Sequence, residues 1–93
     1  MSKWLILQSN LTKGPYGPED CEFLRECYSL KYALEQNGQI ADICGLRHKN
    51  YNQVINFDDY DYIFLAEQYE FGWIPVDSIT ESTAKKLIWV ADI

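Results

Sequence analysis

The chain has 93 residues, 47% of them hydrophobic and 15% aromatic: one small domain, with enough apolar material for a packed core and too much for disorder. Its formal net charge of −6 argues against non-specific nucleic-acid binding and against a polybasic membrane anchor. Met1-Ser2-Lys3 runs directly into a short apolar segment with no leader-type cleavage site, and no apolar run approaches the roughly 20 residues of a membrane span, so a cytoplasmic protein is expected.

Residues 3–38 organise the rest. Trp4-Leu5-Ile6-Leu7 is apolar without alternation, as in a strand covered on both faces of a parallel sheet. Ser9 and Asn10 end it, and a Gly/Pro loop follows at 11–18. The spacing then predicts a helix opening at Pro18, with Glu19 and Asp20 on its positive end. Phe23, Cys27, Leu30 and Leu34 form its apolar stripe, widened by Leu24 and Ala33, and Asn37-Gly38 stops it. A second strand is expected over 40–46, parallel to the first by the right-handed crossover rule, with Arg47-His48-Lys49-Asn50 emerging at its end.

Residues 51–57 read ambiguously, as a short helical turn or an irregular apolar connection. The acidic lead-in Asp58-Asp59-Tyr60-Asp61 enters a third strand over 62–66, followed by Glu67-Gln68-Tyr69-Glu70 and Phe71-Gly72-Trp73. Ser78-Ile79-Thr80-Glu81 matches a capping box, which predicts a short helix from Ser78 with Lys85 and Lys86 at its negative end. Leu87-Ile88-Trp89-Val90 is expected as a fourth buried strand. Cys21, Cys27 and Cys44 form no metal-type CxxC pair and read as reduced core thiols.

The order βαβ-x-βαβ defines an α/β domain: a Rossmann-like or flavodoxin-like parallel sheet of four strands, order 2-1-3-4, with flanking helices. Sheets of this type usually continue for further βα units, so the chain is expected to be the truncated N-terminal half of a larger two-domain protein. The binding crevice should open at the carboxyl ends of the first and third strands, lined by Ser9, Asn10, Gly14, Glu67, Gln68 and Tyr69.

Gly14-x-x-Gly17 allows backbone amides to approach a phosphate or sugar hydroxyl, although it is not G-x-G-x-x-G and its prolines remove donors; a plain loop is the competing reading. NAD is disfavoured, because Arg47-His48-Lys49 stands where a ribose-binding acid is needed. His48 reads either as a base or anion contact or as a solvated loop residue. Glu67 and Glu70 could orient sugar hydroxyls or act as a base, with Tyr69, Phe71 and Trp73 offering aromatic faces; a solvated acidic loop is the alternative. A receiver-type phosphoacceptor is dismissed, since the acidic cluster 58–61 precedes its strand instead of following it. No metal or cofactor is expected.

Together, Trp4-Leu5-Ile6-Leu7 with its Gly-containing loop, the helix end Leu34-Glu35-Gln36-Asn37-Gly38, the run Phe57-Asp58-Asp59-Tyr60-Asp61-Tyr62-Ile63-Phe64-Leu65 and the closing Lys86-Leu87-Ile88-Trp89-Val90-Ala91-Asp92 resemble the N-terminal domain of GT-B glycosyltransferases. The likeness is greatest to the spore-maturation, CgeB-like group. This resemblance implies an acceptor-side domain facing a cleft, with a second domain holding the nucleotide-sugar donor, no bound metal, and Asp92 among the site residues. The 93-residue chain alone is then expected to be inactive, because transfer needs both walls of the cleft. Two other readings stay open: a non-catalytic flavodoxin-like interaction module, and a small nucleotide-binding protein. A homo-oligomer through the C-terminal strand is expected on every one of these readings, since an uncovered apolar edge invites pairing.

Overall fold

Three successive buried residues, Leu5, Ile6 and Leu7, place β1 (Lys3–Leu7) at the centre of the sheet, because only a strand covered on both faces buries consecutive side chains. The computed structural model describes residues 1–9, 26–46, 48, 55–66 and 72–89. β2 (Ile40–Cys44) and β3 (Tyr62–Leu65) flank β1, and β4 (Lys85–Ile88) lies outside β3. The order is β2-β1-β3-β4 and every pairing is parallel, as the sequence predicts.

Side chains alternate between two cores. On one face Leu5, Leu7, Cys44 and Ile63 are buried with Ile79 and Ala84, and Ile55, Phe57, Trp73 and Ile74 pack against them. On the other, Ile6 and Ala41 are buried with Cys27, flanked by Trp4, Tyr28, Leu30 and Leu34. Trp4 stacks on its cross-strand partner Tyr62 with centroids 4.2 Å apart, although its buried indole N–H finds no hydrogen-bond partner among the described residues.

The second core is closed by α1 (Glu26–Gln36), which lies over β1 and β2. Cys27, Leu30 and Leu34 face inward as expected, but Ala33 is exposed and Tyr28 takes its place in the stripe. The predicted start at Pro18 lies outside the described residues. The end matches the expectation: Gly38 takes φ +77°, with Gly38 N–H donating to Glu35 O at 3.1 Å and Gln39 N–H to Leu34 O at 3.0 Å. This is a Schellman turn, and it satisfies the last carbonyls of α1 within a three-residue connection to β2.

Of the ambiguous stretch 51–57, residues 51–54 lie outside the described residues, and Phe57 opens a 3-10 turn, Phe57–Asp59, capped by the Asn56 side chain. The first core is closed by α2 (Val76–Glu81). This helix starts two residues before the expected capping-box Ser78. Pro75, with φ −79°, already holds the chain at the helix entrance, and no side chain caps it.

Lys85 and Lys86 belong to β4 and not to the helix end, because parallel pairing with Tyr62 and Ile63 extends them. Lys86 still serves the helix: its ammonium donates to the carbonyl of Ser82, the C-terminal cap of α2. The expectation of a buried fourth strand is overturned, since all of β4 is exposed and no strand lies beyond it among the described residues. The turn before β4 is held by Asp58, which accepts from Thr83 N at 2.9 Å; that donated N–H keeps its carboxyl below the usual range.

At the amino end of the sheet, Tyr60 donates its hydroxyl to Asp42 Oδ2 at 2.7 Å, and the Lys3 ammonium sits 4.9 Å above its ring. Burial first, and the Asp42 carboxylate second, push the Tyr60 phenol well above its ordinary pKa. The unfolded chain therefore releases this proton first, near pH 10, and the contribution of Tyr60 to stability is lost as pH rises beyond that point. Urea midpoints measured from pH 8 to 11 are expected to fall above about pH 10, with a shallower fall in Tyr60→Phe.

Candidate functional site

The strand order reverses at β1: its sequence neighbour β2 lies on one side, and β3, reached later in the chain, on the other. In open parallel sheets the carboxyl side of such a reversal, here the ends of β1 and β3, is the usual ligand position. Ala66 N–H donates to Leu7 O at 3.1 Å, which sets the end of β3 beside Gln8 and Ser9.

Gln8 ties this edge together. It is fully buried, and both its backbone groups and its side-chain amide are used. Its N–H donates to Cys44 O at 3.1 Å, and its carbonyl accepts from His48 Nε2 at 2.7 Å. Its side-chain Oε1 accepts from Cys27 N at 2.8 Å, and its Nε2 donates to Glu26 Oε2 at 3.0 Å. One residue thus links β1, the exit of β2 and α1.

Gly45 permits the approach. A Cβ there would stand 2.3 Å from Gln8 O and 2.7 Å from Gln8 C, both backbone atoms that cannot step aside.

His48 is not the solvated loop residue considered from sequence. Its ring is half-buried, 5.8 Å from that of Tyr28 at an interplanar angle of 61°. A carbonyl only accepts, so the Nε2 facing Gln8 O carries a proton, and Nδ1 pairs with the Tyr28 hydroxyl 3.3 Å away, accepting its proton when the ring is neutral. Were the ring to gain a proton, Nδ1 would donate and the Tyr28 hydroxyl would turn to accept. With both nitrogens engaged, His48 holds the exit of β2 against β1.

Ser9 is the complement of this satisfied cluster. It is 1% exposed, and its hydroxyl has no hydrogen-bond partner among the described residues. Leaving a buried hydroxyl unpaired costs about 1–3 kcal/mol, so it is a group that a ligand's donor or acceptor would satisfy at a gain.

Of the residues predicted to line the site, Ser9 and His48 therefore meet at one sheet edge, each adjoining Gln8. Asn10, Gly14, Gly17, Glu67, Gln68, Tyr69, Glu70 and Asp92 lie outside the described residues. Gln8, Tyr28 and Gly45 were not anticipated. A polar residue directly after an apolar run, and a glycine directly after a strand, are the signals that mark Gln8 and Gly45.

Among the described residues no three His, Cys, Asp or Glu side chains gather as metal ligands would. Cys27 and Cys44 are buried, and burial pushes the Cys44 thiol up, away from nucleophilic use. No helix among the described residues is long and apolar enough to cross a membrane. The chain matches no protein-family model, no curated protein and no solved structure.

Two substitutions test how this edge is built. Gly45→Ala is expected to cost about 1–3 kcal/mol in urea unfolding, through the clash with the Gln8 carbonyl. Gln8→Glu keeps the acceptor for Cys27 N but sets a second carboxylate against Glu26. The new carboxyl's folded pKa is then raised, so its protonated form is favoured in the folded state. Stability should match the wild type below about pH 4 and fall behind it as pH rises through the ordinary glutamate range.

Proposed function

We propose that the crevice at the carboxyl ends of β1 and β3 binds a hydroxyl-rich acceptor, and that the domain is the acceptor-side half of a glycosyltransferase using a nucleotide-sugar donor. The observation that carries this reading is the buried Ser9 hydroxyl, with no partner among the described residues, at the point where the strand order reverses. The Gln8 cluster supports it by holding Ser9 on a rigid base, since a hydroxyl that selects a ligand must be placed before the ligand arrives. The motif resemblance to GT-B N-terminal domains supplies the reaction class: transfer of a sugar between two walls of a cleft, of which these residues form one.

In that role the side chains orient and do not react. Ser9 offers a donor and an acceptor to a sugar hydroxyl, while Gln8 and His48 keep the ends of β1 and β2 in register beneath it. Sugar transfer by this chain alone is not expected, because one wall neither holds the donor in line nor excludes water.

Titration of the labelled protein with simple glycosides and with UDP- and GDP-sugars, followed by amide chemical shifts, tests the reading. Glycosides, standing in for the acceptor, should shift Ser9, Gly45 and His48 and lose these shifts in Ser9→Ala, whereas nucleotide sugars should bind no better than about millimolar, about −4 kcal/mol. Micromolar affinity for the nucleotide would instead assign a small nucleotide-binding protein. Shifts absent from this edge for both donors and simple glycosides would leave a non-catalytic interaction module.

A further inference from the structure

The opposite end of the sheet carries a second surface. On β4 and the residue after it, Leu87, Ile88 and Trp89 are 40%, 69% and 39% exposed. Lys85 N–H donates to Asp61 O and Trp89 N–H to Leu65 O, so by alternation the backbone groups of Lys86 and Ile88 point away from β3 toward the open edge. Beside this edge, on the α2 face, lies a groove of about 480 Å³ lined chiefly by Leu65, Ile74, Val76, Ile79 and Ile88. On the α1 face, Leu87 and Trp89 lie outside β3, whereas α1 covers β1 and β2.

We propose that this edge pairs with a second copy of the same chain, antiparallel, about a two-fold axis through Leu87. The segment is self-complementary in this one register. Lys86 faces Ile88 of the second copy, and both present outward backbone groups, so each such pair exchanges its N–H and C=O. Leu87 meets its own equivalent as a non-hydrogen-bonded pair. Lys85 falls opposite the exposed Trp89, on the same face, where an ammonium over an indole is attractive.

Like charges are kept apart in this register. The two Lys85 residues stand about 13 Å from each other, beyond the Debye length of about 8 Å at physiological salt. The Lys86 ammonium is drawn back onto the Ser82 carbonyl of its own chain. The product is one continuous sheet, four strands from each copy, with both α2 grooves opening side by side and Val76 and Ile88 as shared apolar walls. The net charge of −6 on each copy opposes the encounter but is screened at the same salt.

Sedimentation of the full chain at micromolar concentration tests the pairing, with circular dichroism to confirm that each variant is folded. The wild type should run as a dimer. Ile88→Pro removes only outward N–H groups and spares the bonds to β3; losing one hydrogen bond from each copy should raise the dissociation constant by about 30-fold or more. Trp89→Lys, at an exposed side chain, should give a monomer by setting lysine against Lys85. Leu87→Cys should form an intermolecular disulfide under mild oxidation, since a non-hydrogen-bonded antiparallel pair brings Cα atoms to about 4.5 Å; the wild type is the control. A monomeric wild type overturns the proposal, as does a dimer that survives Trp89→Lys or that Leu87→Cys does not cross-link.

Discussion

A buried glutamine amide does in this domain what the backbone ladder cannot. The ladder sets β1 between β2 and β3, but it says nothing about how α1 sits over them or where the chain leaving β2 goes. The Gln8 side chain answers the first question through Cys27 N and Glu26, and its carbonyl answers the second through His48. A primary amide in a core is costly unless it is satisfied, and that cost is what makes it selective: few arrangements of helix and strand meet both its donor and its acceptor. Gly45 belongs to the same constraint, since any side chain there would separate β2 from the carbonyl on which the arrangement turns.

From this constraint the site inherits its character. Gln8, Glu26, Tyr28 and His48 spend their polar groups on one another, and the Ser9 hydroxyl stands out because no partner for it lies among the described residues. Under the acceptor-binding reading proposed above, such an edge selects a hydroxyl by placement, Ser9 being held in position before the ligand arrives.

Strands and their order were readable because their signals are local. Apolar runs mark Trp4 to Leu7 and Tyr62 to Leu65, tight connections fix parallel crossovers, and Gly38 has one conformational use. The misreadings have equally local causes. Ser78 and Glu81 spell a capping box, but Pro75 had already committed the backbone to a helix by Val76. Lys85 and Lys86 look like the basic end of a helix, yet an edge strand accepts lysines readily and pairing with β3 is worth more to them. The role of Gln8 was not legible at all. Its side-chain and carbonyl partners lie 18, 19 and 40 residues away, and no window along the chain connects a single glutamine to a helix start and a distant histidine.

The central position of β1 also shapes how the domain comes into being. Ser2 pairs with Gln39 across 37 residues and Lys3 with Asp61 across 58, so the strand made first holds no sheet partner until β2 is made, and its second flank stays open until β3. Non-local parallel pairing of this kind pays loop-closure entropy before it gains contacts, and such sheets fold slowly. Leu5, Ile6 and Leu7, at most 1% exposed in the finished sheet, spend synthesis in water as an uncharged apolar run with strong strand propensity. That segment, innermost and quietest in the native state, is where an emerging chain is most vulnerable to pairing with the wrong neighbour.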